Sequence, residues 1–229
     1  MAANSDAASG NLYNDTAQST IIDDFSFATW VYLNATGSSM EFFMNGVGGG
    51  FGQGWEFRYS GSAGKFQIDV SYVTGLSGST TPSSGTWYHI VITRSSTSWK
   101  LYVNGSDDGV SDTSDPYSLD SSAKTVVFGV NDSGTSTTQE ANGRLAYLGY
   151  WERVLTGTEI ANLASCSTVP ADLTTNLVIS LPLTDSGSFG TNGGSGANFS
   201  TSGTLYIADN PSSCAVASSV KTLAALGVG

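Results

Sequence analysis

The sequence predicts an all-β protein, and three observations carry that reading. Apolar residues recur with period two, helical periodicity is nearly absent, and Gly/Ser/Asn/Asp clusters break the chain at short intervals. The length of 229 residues suits one β-rich domain, since all-β sandwiches commonly run to about 200–250 residues. A body of that size buries on the order of 70% of its unfolded surface, enough for a real core. Aromatics at 11% argue against disorder. Lys+Arg total 8 against 19 Asp+Glu, a net charge of −11. With no basic run, the footprint of a nucleic-acid binder is missing, and anionic lipid would repel the chain. The first twenty residues have neither a basic n-region nor an apolar h-region, so no secretory signal peptide is expected. No window approaches 18 consecutive apolar residues, which excludes membrane insertion by a helix.

The elements follow in order. Over 25–33, Phe25, Phe27, Thr29, Val31 and Leu33 alternate with Ser26, Ala28, Trp30 and Tyr32, the two faces of one strand. Further strands are predicted at 39–45, 54–60 and 64–73. Residues 87–94 and 99–103, joined by Ser-Ser-Thr-Ser, read as an antiparallel hairpin. Asn104-Gly105 is a type I′ turn signal, because both residues tolerate positive φ. The short acidic strand after it, around 107–112, suits a sheet edge. One short helix is predicted near 156–165, where Thr156-Gly-Thr-Glu159 fits a capping box and Ile160 and Leu163 offer an apolar face. Residues 176–183 form another strand that Pro182 places near an edge or end. A Gly/Ser/Asn loop covers 184–203, and 204–208 is a last short strand. Cys166 and Cys214, the only cysteines, are not spaced for zinc; they are either two buried thiols or a disulfide holding the C-terminal segment.

Gly85-Thr-Trp-Tyr-His-Ile-Val-Ile-Thr-Arg94 followed by Trp99-Lys-Leu-Tyr-Val-Asn-Gly105 resembles the central strands of concanavalin A-like, laminin G-like jelly-roll domains. Residues 25–33 look like the family's upstream strand, and 142–160 are similar to its closing signature. The resemblance implies a concanavalin A-like antiparallel β-sandwich over residues 1–210. Ala146 stands where many relatives carry an Asp. Segment 176–210 looks like the stretch that commonly opens such domains, which suggests a permuted closing segment. Residues 211–229 form a tail, and its small apolar part, 216–229, is the expected assembly contact.

Glucanases share the fold that the resemblance implies, which raises the question of catalysis. Retaining glycosidases need two carboxyls about 5–5.5 Å apart, and on one strand that requires acids at i and i+2. Glu41, Glu56, Glu140, Glu152 and Glu159 have no such partner, and Asp23-Asp24 and Asp107-Asp108 are adjacent pairs facing opposite ways. His89, the only histidine, reads as structural, with no nucleophile elbow to serve. No enzyme is expected. Binding is the alternative, since lectin-like sandwiches hold sugars in shallow loop sites. The loop Gly46–Trp55 offers Phe51, Gln53 and Trp55, and Tyr117 is a second candidate; for Trp55 a core position at a strand start is the favoured reading. No cofactor is required, but the resemblance admits calcium, with Asp107, Asp108 and Asp132 as candidate oxygen ligands. The expected protein is a non-catalytic lectin-like surface module, made in the cytoplasm and carried on a virion or other extracellular surface. It is expected to assemble as a homo-oligomer or on a larger particle, with a glycan as ligand. A stand-alone carbohydrate-binding lectin is the alternative.

Overall fold

The computed structural model describes residues 2–5, 11–15, 23–47, 54–70, 73–109, 124–128, 142–185, 187–202, 205–212 and 214. Its strands are β1 (Ala2–Ser5), β2 (Asn11–Asn14), β3 (Phe25–Leu33), β4 (Met40–Val47), β5 (Trp55–Ser60), β6 (Lys65–Val70), β7 (Val73–Ser77), β8 (Trp87–Ser95), β9 (Ser98–Val103), β10 (Ser106–Asp107), β11 (Lys124–Val127), β12 (Gly143–Trp151), β13 (Leu177–Leu181), β14 (Ser200–Ser202) and β15 (Tyr206–Ala208). The helix α1 spans Gly157–Ala164.

Two antiparallel sheets stack face to face. The first has the order β10-β9-β8-β3-β12-β1-β15, and the second β14-β2-β11-β4-β5-β6-β7. Strand β12 has two neighbours on its far side: β1 pairs with residues 143–145 and β13 with residues 148–151. Segment 176–183 therefore lies within the first sheet. Between Ala146 and Gly149 the β12–β3 register slips by a bulge, with Tyr147 at φ 54°.

The core fills the space between the sheets. Phe25, Phe27, Val31 and Leu33 point inward from β3 and meet Phe43, Trp55 and Phe57 of the second sheet. Phe25 stacks on both Trp55 and Tyr150 with ring centroids 5.4 Å apart, and Phe27 lies 4.5 Å from Phe43. Such aromatic contacts add about 0.5–1.5 kcal/mol each beyond the area they bury.

Local chemistry explains the connections. Asn104 and Gly105 adopt φ 52° and 83° and return the chain from β9 into β10, at the edge of the first sheet. Strand β10 is shorter than the 107–112 expected, and 110–112 lie outside the described residues. The stretch expected as one strand over 64–73 holds β6 over 65–70 and the first residue of β7, which returns beside it. At α1 the capping box forms as the sequence requires. The Thr156 hydroxyl accepts from the Glu159 amide at 3.3 Å, and Glu159 accepts from the Thr156 amide at 2.8 Å. Arg153 donates both guanidinium arms to the same Glu159 carboxylate, at 2.7 and 2.9 Å. Those bonds, led by the one from Arg153, hold Glu159 down to about 2. Ile160 and Leu163 then pack on Ala28, Val91 and Trp151; burying each such side chain is worth about 1.5–3 kcal/mol. Cys166, just past the helix, is bonded to Cys214, with Cα atoms 5.0 Å apart.

Candidate functional site

The outward face of the first sheet is covered unevenly. At one end α1 seals Ala28, Val91 and Trp151. In the middle, Trp30 and Ala146 pack against the Cys166–Cys214 disulfide, and His89 lies 5.2 Å from Trp30. Burial alone pushes the His89 imidazole down to about 3, so it stays neutral. Ala146 puts a methyl group into this apolar packing. Beyond the disulfide, the end of the sheet is half-exposed.

That end carries a row of three side chains from three strands. Register places Trp87 of β8 opposite Tyr32 of β3, and Tyr32 opposite Arg144 of β12. Side chains alternate along a strand, so all three project away from the core. The Tyr32 and Trp87 rings are 5.4 Å apart and tilted by 57°. The Arg144 guanidinium carbon sits 4.4 Å from the Tyr32 ring centre, a cation–π contact of about 0.5–1 kcal/mol at such a site. One step toward the sheet's rim, on the same face, Asn34 donates its side-chain amide to Asn142 at 2.9 Å. Aromatic faces, a guanidinium and carboxamides, all half-buried, form a platform that can stack on C–H surfaces and bond hydroxyl groups.

The second sheet carries a different cluster on its outward face. Glu41, Glu56 and Asp69 are 0–8% exposed and converge on Arg58. Arg58 Nε is 2.7 Å from Asp69, and its Nη1 is 3.8 Å from Glu41. Register sets Glu56 directly opposite Asp69. Burial pushes Glu41 up to about 9, with Glu56 adding repulsion and Arg58 opposing it. Burial and then Asp69 push Glu56 up to about 7, so Glu56 takes up a proton as pH falls through neutrality, held in a hydrogen bond with Asp69. Sequence reading along single strands missed this cluster, because its carboxylates meet across strands. The chemistry is that of a proton-sharing knot beneath the surface.

The residues singled out from sequence fare differently. Trp55 is 1% exposed and wedged among Phe25, Phe27 and Phe43. Its core reading holds, and it has no face left for a sugar. Asp108, the calcium candidate, is also a correction: its carboxylate accepts from the Ser79 hydroxyl at 2.9 Å, from the Thr80 amide at 3.1 Å and from the Thr80 hydroxyl. Asp107 points the other way, exposed, 3.9 Å from Lys100, so the two carboxylates do not converge. Among the described residues no group of three His, Cys, Asp or Glu side chains is placed to hold a metal ion. Phe51, Gln53, Tyr117, Asp132 and the 216–229 tail lie outside the described residues. Tyr32, Trp87 and Arg144 lie inside the three recognised motifs, but only cross-strand register reveals that they meet.

Two stacked antiparallel sheets with one capped helix define a lectin-like jelly-roll sandwich. The comparisons agree. Residues 6–161 match the laminin G-like profile of the concanavalin A-like lectin/glucanases superfamily, and the chain belongs to that superfamily. Human neuronal pentraxin-1 is 33% identical over 92 residues, 38% of this chain but only 21% of that protein, so the match spans about a fifth of the relative's length. The native heptameric SAP-like pentraxin from Limulus polyphemus shares the fold at a TM-score of 0.65 and 15% identity, over 90% of this chain and 93% of that one. A structure described as a carbohydrate-binding protein from Bacteroides ovatus matches at 0.64 and 14% identity, over 92% of this chain and 60% of that one.

Proposed function

We propose that the protein is a non-catalytic carbohydrate-binding module that engages glycans through the Trp87–Tyr32–Arg144 row. The observation that carries this reading is the row itself. It supplies half-buried stacking faces with carboxamides beside them, at the end of the first sheet beyond α1, where Trp87 borders the cluster around the disulfide. A non-catalytic role is favoured because Glu56 and Asp69 are committed to each other and to Arg58 below the surface. Self-assembly is supported by the heptameric pentraxin that shares the fold. Residence on a virion or other outer surface fits the acidic, polar composition.

A glycan array read with the native protein tests the site. Binding is expected, and Trp87→Ala is expected to reduce it at least tenfold while leaving the unfolding temperature within a few degrees. Running each arm with calcium and with EDTA decides whether the ion takes part. Glycan binding that survives both Trp87→Ala and Tyr32→Ala would rule out the row, and turnover of a polysaccharide would rule out the non-catalytic reading. Co-sedimentation with particles from the source tests the surface location, and solution mass tests assembly.

A further inference from the structure

We propose that the glycan taken by this row is acidic, with a carboxylate or sulfate group seated on the Arg144 guanidinium. The inference rests on the carbohydrate-binding reading above and adds the ligand's charge. Its basis is a contrast among the arginines. Arg58 pairs with Asp69 and Glu41, Arg94 with Asp23, and Arg153 with Glu159. Arg144 has no ion pair or hydrogen bond to a described residue; its partner is the Tyr32 ring. Its Nε is buried and unpartnered. In a chain with 19 Asp+Glu against 8 Lys+Arg, Arg144 is the one described arginine without a carboxylate beside it.

The physical chemistry then selects the ligand. A half-buried guanidinium has lost part of its hydration, and that loss is recovered only by an acceptor brought to it. Stacking on Tyr32 fixes the plane of the fork, so little side-chain entropy remains to be lost on binding. A planar, oriented guanidinium matches a carboxylate or sulfate through two parallel N–H donors, a geometry a single hydroxyl cannot reproduce. The tilted Trp87 ring on the far side of Tyr32 offers a face to the sugar ring. The Asn34–Asn142 pair stands where hydroxyls beside the acidic group would fall. Neutral sugars would use the aromatic and carboxamide parts and leave the guanidinium unmatched.

The test uses matched pairs that differ only in charge: oligoglucuronate against oligoglucose of equal length, and sulfated against unsulfated lactose, titrated calorimetrically into the intact protein. The acidic member of at least one pair is expected to bind at least tenfold more tightly. Arg144→Gln is expected to erase that preference while weak binding to the neutral member persists. Arg144→Lys, which keeps the charge but not the fork, is expected to restore only part of it. Thermal unfolding of each variant checks that the fold survives; if Arg144→Gln does not fold, Arg144→Lys and the wild-type pairs still decide. Which pair responds separates a carboxylate from a sulfate. Equal affinity within both pairs, or a preference that survives Arg144→Gln, would overturn the proposal and leave the carbohydrate reading standing. No binding to any sugar, neutral or acidic, would overturn both.

Discussion

The outward faces of the two sheets meet the same demand, covering a surface that points away from the core, with opposite chemistry. On the first sheet an amphipathic helix and a disulfide lie over alanine, valine and tryptophan. On the second, carboxylates as buried as core residues surround one arginine. The first cover is apolar, covalently fastened and indifferent to pH above the histidine range. The second is poised on proton occupancy, because three acids and one base cannot all be charged in a desolvated space without cost. The first cover also stops short of the end of its sheet, and there the Trp87–Tyr32–Arg144 row emerges. A sandwich can thus place an apolar seal and a half-buried polar–aromatic row side by side on one face and leave a titrating knot on the other.

The comparison can be broken most forcefully at the disulfide. Cys166 and Cys214 close a 48-residue loop, and chain-entropy reasoning assigns such a closure about 4 kcal/mol. Cys214→Ser is expected to lower stability by about that much in urea unfolding, and reductant should then have no further effect. Next in size is the hydrophobic seal: Leu163→Ala, at a position 3% exposed, is expected to cost about 2–4 kcal/mol.

Titration separates the two faces by sign. His89 is held at about 3 against an ordinary 6.5, so the unfolded chain takes up a proton that the folded one refuses. Its contribution to stability is complete above about pH 6.5 and is lost as pH falls toward 3. Glu159, held at about 2, adds to the same acid limb below 4.5. Glu41 and Glu56 are raised to about 9 and 7, so the folded chain keeps protons that the unfolded one releases. Their contribution is complete below pH 4.5 and is lost as pH rises through 7 and then 9. Each group tilts stability by at most about 1.4 kcal/mol per pH unit. Glu41→Gln is expected to flatten the alkaline limb of a pH–melting profile and leave the acid limb unchanged; an unchanged alkaline limb would show that the knot is not what titrates. The smallest effect is expected from Thr156→Ala, which removes the helix cap and should cost about 1 kcal/mol, measurable as a reduced urea midpoint.

The long elements were legible in the sequence because their signals are local. Strand β3 matches its predicted bounds, β8 and β9 run one residue past theirs, and the helix cap forms with the residues expected. The strands β1, β2, β11 and β14, three or four residues each, were not read. Ala-Ala-Asn-Ser and Ser-Thr-Ser have no alternation of their own and are extended because a neighbouring strand supplies their hydrogen bonds. The Trp87–Tyr32–Arg144 row was opaque for a related reason. Tyr32, Trp87 and Arg144 are 55 or more positions apart in sequence, and their meeting depends on register rather than spacing. Trp55 shows the converse: a Gly-rich loop beside it suggested exposure, but strand alternation puts it in the core with Phe57 and Tyr59.

Asp108 has a consequence for how the molecule opens. It follows β10, at the margin of the first sheet, yet it binds Ser79 and Thr80, which follow β7 at the margin of the second. The Ser79 amide also donates to the Asp108 carbonyl at 3.0 Å. Margins of sheets ordinarily fray first, but here two of them are laced together by main-chain and side-chain bonds. Deuterium uptake at the Ser79 and Thr80 amides should therefore be slow, and breathing should begin at the opposite margins, at β14 and β15.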